Sequence, residues 1–262
     1  MLLKQTGAKN MEELAALSEE KLRAINEKLN ESNNFPERDG VVLPEDPYGA
    51  YEKGEAFPVQ MMIGTNADEL CYWILDLGSL FKYRIASHVL VDQTMRRLRP
   101  EDRKRVRKFL AMQPGRPFLD RPWKSTEFFN ELLFRLPALR QAQALAARGN
   151  TVYTYYWSCP SSIPRLGACH AVELAYVFNN LRETIYTGEG ICEPLARKVQ
   201  QMWVNFAKTG DPDIEDVHWA PYTEKSRASL ILDREIRTEE DLKARQRELL
   251  APLLDYYING NV

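Results

Sequence analysis

QMMIGTNADEL, Gln60 to Leu70, follows Val59 and carries three further apolar residues, Met61, Met62 and Ile63, before it closes on two acids, Asp68 and Glu69. The run is too continuously apolar for an exposed hairpin and suits a strand of a parallel sheet buried on both faces. It predicts a strand over Pro58 to Thr65, with Gly64-Thr65-Asn66 turning the chain and setting the acidic pair at the strand's C-terminal end. In open α/β sheets that is the edge where ligands bind.

A second stretch, LGACHAVELAYVF from Leu166 to Phe178, places His170, one of three histidines, on a glycine-bearing loop ahead of an apolar helix. Alone, such a histidine reads equally as a hydrogen-bonded structural imidazole. An acid after one strand and a histidine after a later one suit an imidazole base oriented by a charge, and at this level either Asp68 or Glu69 could be its acid. Glu173 lies three residues after His170, so on a helix the two share a face. Two such residues without a third cluster are weak evidence for a metal. Cys169 adjoins His170, but adjacent residues seldom point at one another. Gly188 and Gly190 form a lone G-x-G without the flanking pattern of a dinucleotide loop.

Both stretches resemble the type B carboxylesterase family of α/β-hydrolases, which includes the para-nitrobenzyl esterases and cholinesterases. The likeness extends to DGVVLPEDPYGAYEKG (Asp39 to Gly54), MWVNFAKTGDPD (Met202 to Asp213) and HWAPYT (His218 to Thr223), so it covers nearly the whole chain. It implies that Glu69 is the acid and His170 the base of a Ser-Glu-His triad, with Glu173 a buried carboxyl behind them. The implied fold is the C-terminal portion of an α/β-hydrolase, with about three mostly parallel strands and flanking helices in an incomplete sheet. Residues 1–262 would then be one part of a single carboxylesterase domain. No cofactor and no metal are implied.

The family's nucleophile sits in a G-x-S-x-G elbow. No serine in this chain has glycine two residues before it, and no glycine-rich oxyanion-hole loop is present. Because the triad order in these hydrolases is Ser, acid, His, the serine is expected upstream of Met1. The function expected is part of a carboxylic ester hydrolase, inactive as this chain alone. Its expected partners are a small-molecule carboxylic ester and the N-terminal half of the same enzyme. The alternative is a non-catalytic hydrolase-like module that binds a partner through its exposed sheet edge.

The composition fits. The 35 basic and 37 acidic residues leave a formal charge of -2, which gives no general attraction to nucleic acid or an anionic membrane, and no run approaches the length of a membrane span. Cys71, Cys159, Cys169 and Cys192 show neither CxxC pairing nor zinc spacing, so a reduced, cytoplasmic setting is the default, or a secreted one if a signal peptide precedes Met1.

Elsewhere, two short helices broken near Ser18 are expected between Asn10 and Asn30. Leu70 to His88, with Tyr72, Trp73, Phe81 and Tyr83, reads as core, or else as the wall of a substrate gorge. The basic run RRLRPEDRKRVRKF reads as the solvated faces of two helices divided at Pro100. A long helix over Ser125 to Arg148 should kink at Pro137, and strands are expected at Thr151 to Trp157 and Ala228 to Leu232. Leu174, Val177 and Phe178 should open a helix that ends at Asn179-Asn180, and Ile191 to Thr209 should form another, stopped by Gly210. Thr238 to Asp241 resembles a capping box ahead of a final helix.

Overall fold

The computed structural model describes residues 2–27, 36, 38–76, 80–115 and 120–254. The chain divides into two compact units, Met1–Pro47 and Tyr48–Val262.

Among its described residues the first unit holds three short helices, α1 (Leu2–Thr6), α2 (Met11–Ala15) and α3 (Glu19–Asn26). Asn10 Oδ1 accepts the Glu13 N–H at 2.8 Å and Ser18 Oγ accepts the Lys21 N–H at 3.3 Å. These side chains satisfy donors that a helix start leaves unpaired, which is why the helical pattern breaks at Ser18. The remainder of the expected pattern, at Leu29, lies outside the described residues.

The second unit opens within α4 (Pro47–Lys53) and is built on a four-stranded sheet of β1 (Met61–Asn66), β2 (Val152–Trp157), β3 (Ser229–Leu232) and β4 (Arg237–Glu239), in that spatial order. β1 and β2 run parallel, with Met61 opposite Val152 and Asn66 opposite Trp157. β2 and β3 are also parallel, whereas β4 turns back antiparallel. The C-terminal ends of β1, β2 and β3 therefore share one edge.

Between β1 and β2 the chain passes through α5 (Cys71–Asp76), α6 (Leu80–Arg97), α7 (Pro100–Met112), α8 (Asp120–Asn130), a π-helical turn (Glu131–Arg135) and α9 (Leu136–Ala147). Between β2 and β3 it passes through α10 (Leu174–Val177) and α11 (Glu193–Thr209). In α11, Leu195, Ala196, Val199 and Met202 recur at helical spacing and are buried against Trp157, Trp219, Leu230 and Leu232. Gly210 ends it at φ 79°, and its N–H closes on the Phe206 carbonyl. A second cluster joins Leu98, Val106, Phe109, Phe128, Leu132 and Leu136 to Leu250 and Leu253, the last two from α12 (Ala244–Leu250) and the 3-10 turn after it.

The expected parallel strands, the Pro100 helix start and the Gly210 stop are all present. Several details differ. Gly64-Thr65-Asn66 belongs to β1, pairing with Tyr155, Tyr156 and Trp157. Gly64 is required there because a Cβ would meet Tyr155 Cγ at 2.3 Å. The turn comes one step later, at Ala67–Leu70. β1 is a terminal strand among the described residues, with its first four residues half-buried and its last two buried.

The long helix does not simply kink at Pro137. Proline has no N–H to give the preceding turn, and the helix takes a π-helical turn just before it. The capping box is not formed: Thr238 and Glu239 lie in β4, and α12 starts later, after Lys243 at φ 55°. Three residues hydrogen-bonded to β3 outweigh a local cap. In α10 the buried residues are Ala175 and Tyr176, while Leu174 and Phe178 face outward. Among the described residues no helix is long and apolar enough to cross a membrane.

Candidate active site

The turn after β1 and the loop after β2 meet at the C-terminal edge of the sheet. Besides the contact between the Glu69 and His170 side chains, two backbone–backbone bonds and one bond to the Asp68 side chain join them. The Asp68 N–H donates to the Ala168 carbonyl at 2.9 Å, and the His170 N–H donates to the Glu69 carbonyl at 3.3 Å. Asp68 Oδ2 accepts the Ala168 N–H at 2.9 Å. Gly167 makes this approach possible: its φ is +59°, and a Cβ would lie 2.3 Å from Asp68 Oδ2. Asn130 of α8 braces the turn from behind, accepting the Leu70 N–H at 3.0 Å and donating to the Ala67 carbonyl at 3.2 Å.

Within this frame Glu69 Oε2 lies 2.7 Å from His170 Nδ1. The other carboxylate oxygen, Oε1, accepts the Asn66 N–H at 2.8 Å. With its side chain only 6% exposed, Glu69 is fixed, whereas the His170 ring is 48% exposed and can meet a ligand. The hydrogen bond to Glu69 raises the His170 pKa against the opposing effect of burial.

The Glu173 carboxylate is held by Asn66, while the His170 Nδ1 partner is Glu69. The donor to Glu173 is Asn66 Nδ2, which also donates to the Cys169 carbonyl at 2.7 Å. Burial pushes the Glu173 pKa up, and the bond from Asn66 opposes the rise.

Of the two acids that the sequence left open, Glu69 faces the imidazole and Asp68 faces the loop backbone. Cys169 does not offer a rival nucleophile, since it is fully buried and burial pushes its thiol pKa up to about 12. The aromatic residues after Glu69 are not core: Tyr72 and Trp73 are partly exposed and Phe81 is 72% exposed. Tyr83 lies outside the described side chains. The Trp73 and Phe134 rings stand 5.1 and 5.7 Å from the imidazole, centroid to centroid. Phe134 comes from the π-helical turn.

Asn66, Asn130 and Phe134 are site-building residues that sequence reasoning missed. Asn66 was read only as part of the turn after the strand, and Phe134 only as one of the apolar residues of the long helix.

The carboxylesterase family model matches residues 2–250. The chain is 32% identical to the para-nitrobenzyl esterase of Bacillus subtilis (strain 168) over 225 residues, covering 83% of this chain and 43% of that one. It is 27% identical to the bile salt-activated lipase of Homo sapiens over 244 residues, covering 85% of this chain and 31% of that protein. The crystal structure of Geobacillus stearothermophilus carboxylesterase EST55 at pH 6.2 superposes with a TM-score of 0.78 at 26% identity, covering 95% of this chain and 52% of that one. The chain thus spans about half the length of the relatives it matches, or less. A mostly parallel sheet that brings an acid and a histidine to its C-terminal edge, together with a family match over nearly every residue, has one meaning: this chain belongs to the carboxylesterase family.

Proposed function

We propose that this chain supplies the acid and the base of a carboxylic ester hydrolase whose serine nucleophile lies on a segment outside these 262 residues. The observation that carries the reading is the 2.7 Å bond from Glu69 Oε2 to His170 Nδ1, with the second carboxylate oxygen held by a backbone N–H.

In this mechanism Glu69 holds the neutral ring as the Nδ1–H tautomer and leaves Nε2 with a free lone pair on the half-exposed side. Nε2 takes the proton of the attacking serine hydroxyl, Glu69 stabilises the resulting imidazolium, and Nε2 returns the proton to the departing alkoxide. A water then repeats the sequence to release the acid. Trp73 and Phe134 shield the ring and present apolar surface to the ester. A cavity of about 280 Å³ begins at Ala171, next to the base, and is lined by Leu174, Phe178 and Tyr186 among others. It is the right size for one arm of a small ester. The partner expected is the complementary part of a carboxylesterase domain, carrying a G-x-S-x-G elbow and the oxyanion donors. A module that only bound a partner would have no use for an oriented imidazole.

The test is hydrolysis of a para-nitrophenyl ester by the purified chain, alone and co-produced with the nucleophile-bearing half. Loss of a serine nucleophile costs about a million-fold in kcat, so the chain alone should not exceed background. Activity should appear in the complex and should fall sharply in His170→Ala and Glu69→Ala. Turnover by the isolated chain that survives His170→Ala, or an inactive complex that is well folded, overturns the reading.

A further inference from the structure

Asn66 makes contacts that strand pairing alone does not require. It is the last residue of β1 and 3% exposed. Its N–H holds Glu69 Oε1, and its side-chain nitrogen donates both to the Cys169 carbonyl and to the Glu173 carboxylate. One residue thus grips the acid, the backbone immediately before the base, and the half-buried Glu173 carboxyl.

A carboxamide is suited to this task. Its nitrogen carries two N–H donors in one plane, aimed here at two acceptors contributed by the base-bearing loop. Aspartate has the same shape but would set a carboxylate against a carbonyl and a second carboxylate. Serine offers one donor. The amide's own oxygen, Oδ1, is buried without a hydrogen-bond partner among the described residues. Leaving such a group unpaired is unfavourable, a penalty that an apolar side chain of similar size would avoid. The gain must therefore lie in the two donated bonds.

We propose that Asn66 is a positioning residue that locks the His170 loop to the Glu69 turn and thereby holds His170 in its Nδ1–H tautomer. The proposal rests on the reading of Glu69 and His170 as a proton-transfer pair, but it concerns the imidazole of this chain and can be tested without turnover. The groups facing or flanking that imidazole are Glu69 and Asp68 from the turn after β1, Glu173 ahead of α10, Trp73 of α5 and Phe134 of the π-helical turn.

The experiment is nitrogen-15 NMR of the full chain with labelled histidine, since three histidines give resolvable signals and His170→Ala assigns the one of interest. In Asn66→Ala the Nδ1 and Nε2 shifts of neutral His170 should move toward the mixed tautomers of free histidine. Its titration midpoint should drop by at least about half a pH unit, with that of His218 unchanged. Glu173→Gln keeps an acceptor for Asn66 Nδ2, so it should lower the midpoint through the lost charge while retaining the tautomer. An Asn66→Ala chain that folds and keeps both the tautomer and the midpoint overturns the proposal.

Should Asn66→Ala fail to fold, the unsubstituted chain decides: both Asn66 carboxamide protons should be shifted and protected from exchange, and free exchange with solvent overturns the proposal. An inactive complex beside a positive tautomer result would sink the hydrolase reading alone.

Discussion

Glu69 Oε2 and His170 Nδ1 lie 2.7 Å apart, although 101 residues separate them in the chain. Parallel pairing accounts for the meeting. With Asn66 opposite Trp157, the turn that leaves β1 and the loop that leaves β2 emerge side by side, and the bonds between Asp68 and Ala168 draw the far part of that loop back so that His170 meets Glu69.

The bond raises the His170 pKa, and the sign of its effect on stability follows. A group whose pKa is higher in the folded than in the unfolded chain adds stability that is complete below the ordinary histidine value and is lost as pH rises through the raised one. Glu69→Gln should therefore lower the His170 midpoint. It should also cost more unfolding free energy at about pH 6 than at about pH 9. Urea unfolding at the two values checks this, and a penalty that grows with pH would contradict it.

The Asp68 clamp can be separated from the imidazole. Asp68→Ala removes the acceptor of the Ala168 N–H and should cost about 1–2 kcal/mol. Gly167→Ala should cost as much or more, because it adds a Cβ at φ +59° and drives it against Asp68 Oδ2. In the Asp68→Ala background the steric part disappears, so the second substitution should cost less than it does alone. Strict additivity in the double-mutant cycle would show that the close approach of Asp68 to Gly167 stores no strain.

How much of this could be read from the sequence depends on whether a feature is local. The strands at Met61 and Val152, the helix start at Ser18 and the glycine stop after Thr209 were all legible, because each is a short pattern whose physics is complete within a few residues. The meeting of Glu69 with His170 was legible only through resemblance, since nothing nearby in the chain distinguishes Glu69 from Asp68. β4 was hidden because Thr238-Glu239-Glu240-Asp241 is a good local helix start, overridden by pairing with Ser229, Leu230 and Ile231. The role of Asn66 was hidden because two of its acceptors lie more than a hundred residues away.

The exposed apolar residues that follow the His170 loop predict behaviour in solution. Phe178 and Ile185 are 71% and 70% exposed, and among the described residues β1 is a terminal strand of the sheet. Such surfaces associate. The chain made alone should show a mass by light scattering that rises with concentration, and Phe178→Glu with Ile185→Lys should reduce that rise. A monodisperse monomer across the micromolar range would show that these surfaces are not sticky and would weaken the case for a complementary half.

The buried charges under the sheet give the last prediction. Glu131 pairs with Arg135 at 2.7 Å and with Lys243 at 3.1 Å, and Lys243 also reaches Glu127 at 3.5 Å and lies 5.2 Å from the centre of the Tyr156 ring. Burial would raise the Glu131 pKa, but Arg135 and Lys243 outweigh it and hold the carboxyl below its ordinary value. For Glu127 burial prevails over Lys243, and its pKa is raised. The two acids should therefore respond differently to loss of their shared cation. Lys243→Met leaves the buried Glu131 with Arg135 alone and the half-buried Glu127 without the cation that Lys243 supplied, and should cost about 3 kcal/mol or more. Glu127→Gln removes a carboxyl that burial already disfavours and should cost less than about 1 kcal/mol. Made together, the two changes should cost less than their sum, because Glu127 is the acid that Lys243→Met leaves unpaired. Urea unfolding of the three variants measures the coupling. A Lys243→Met chain as stable as the original would mean that the lysine contributes only the packing of its stem against Tyr156, which methionine replaces.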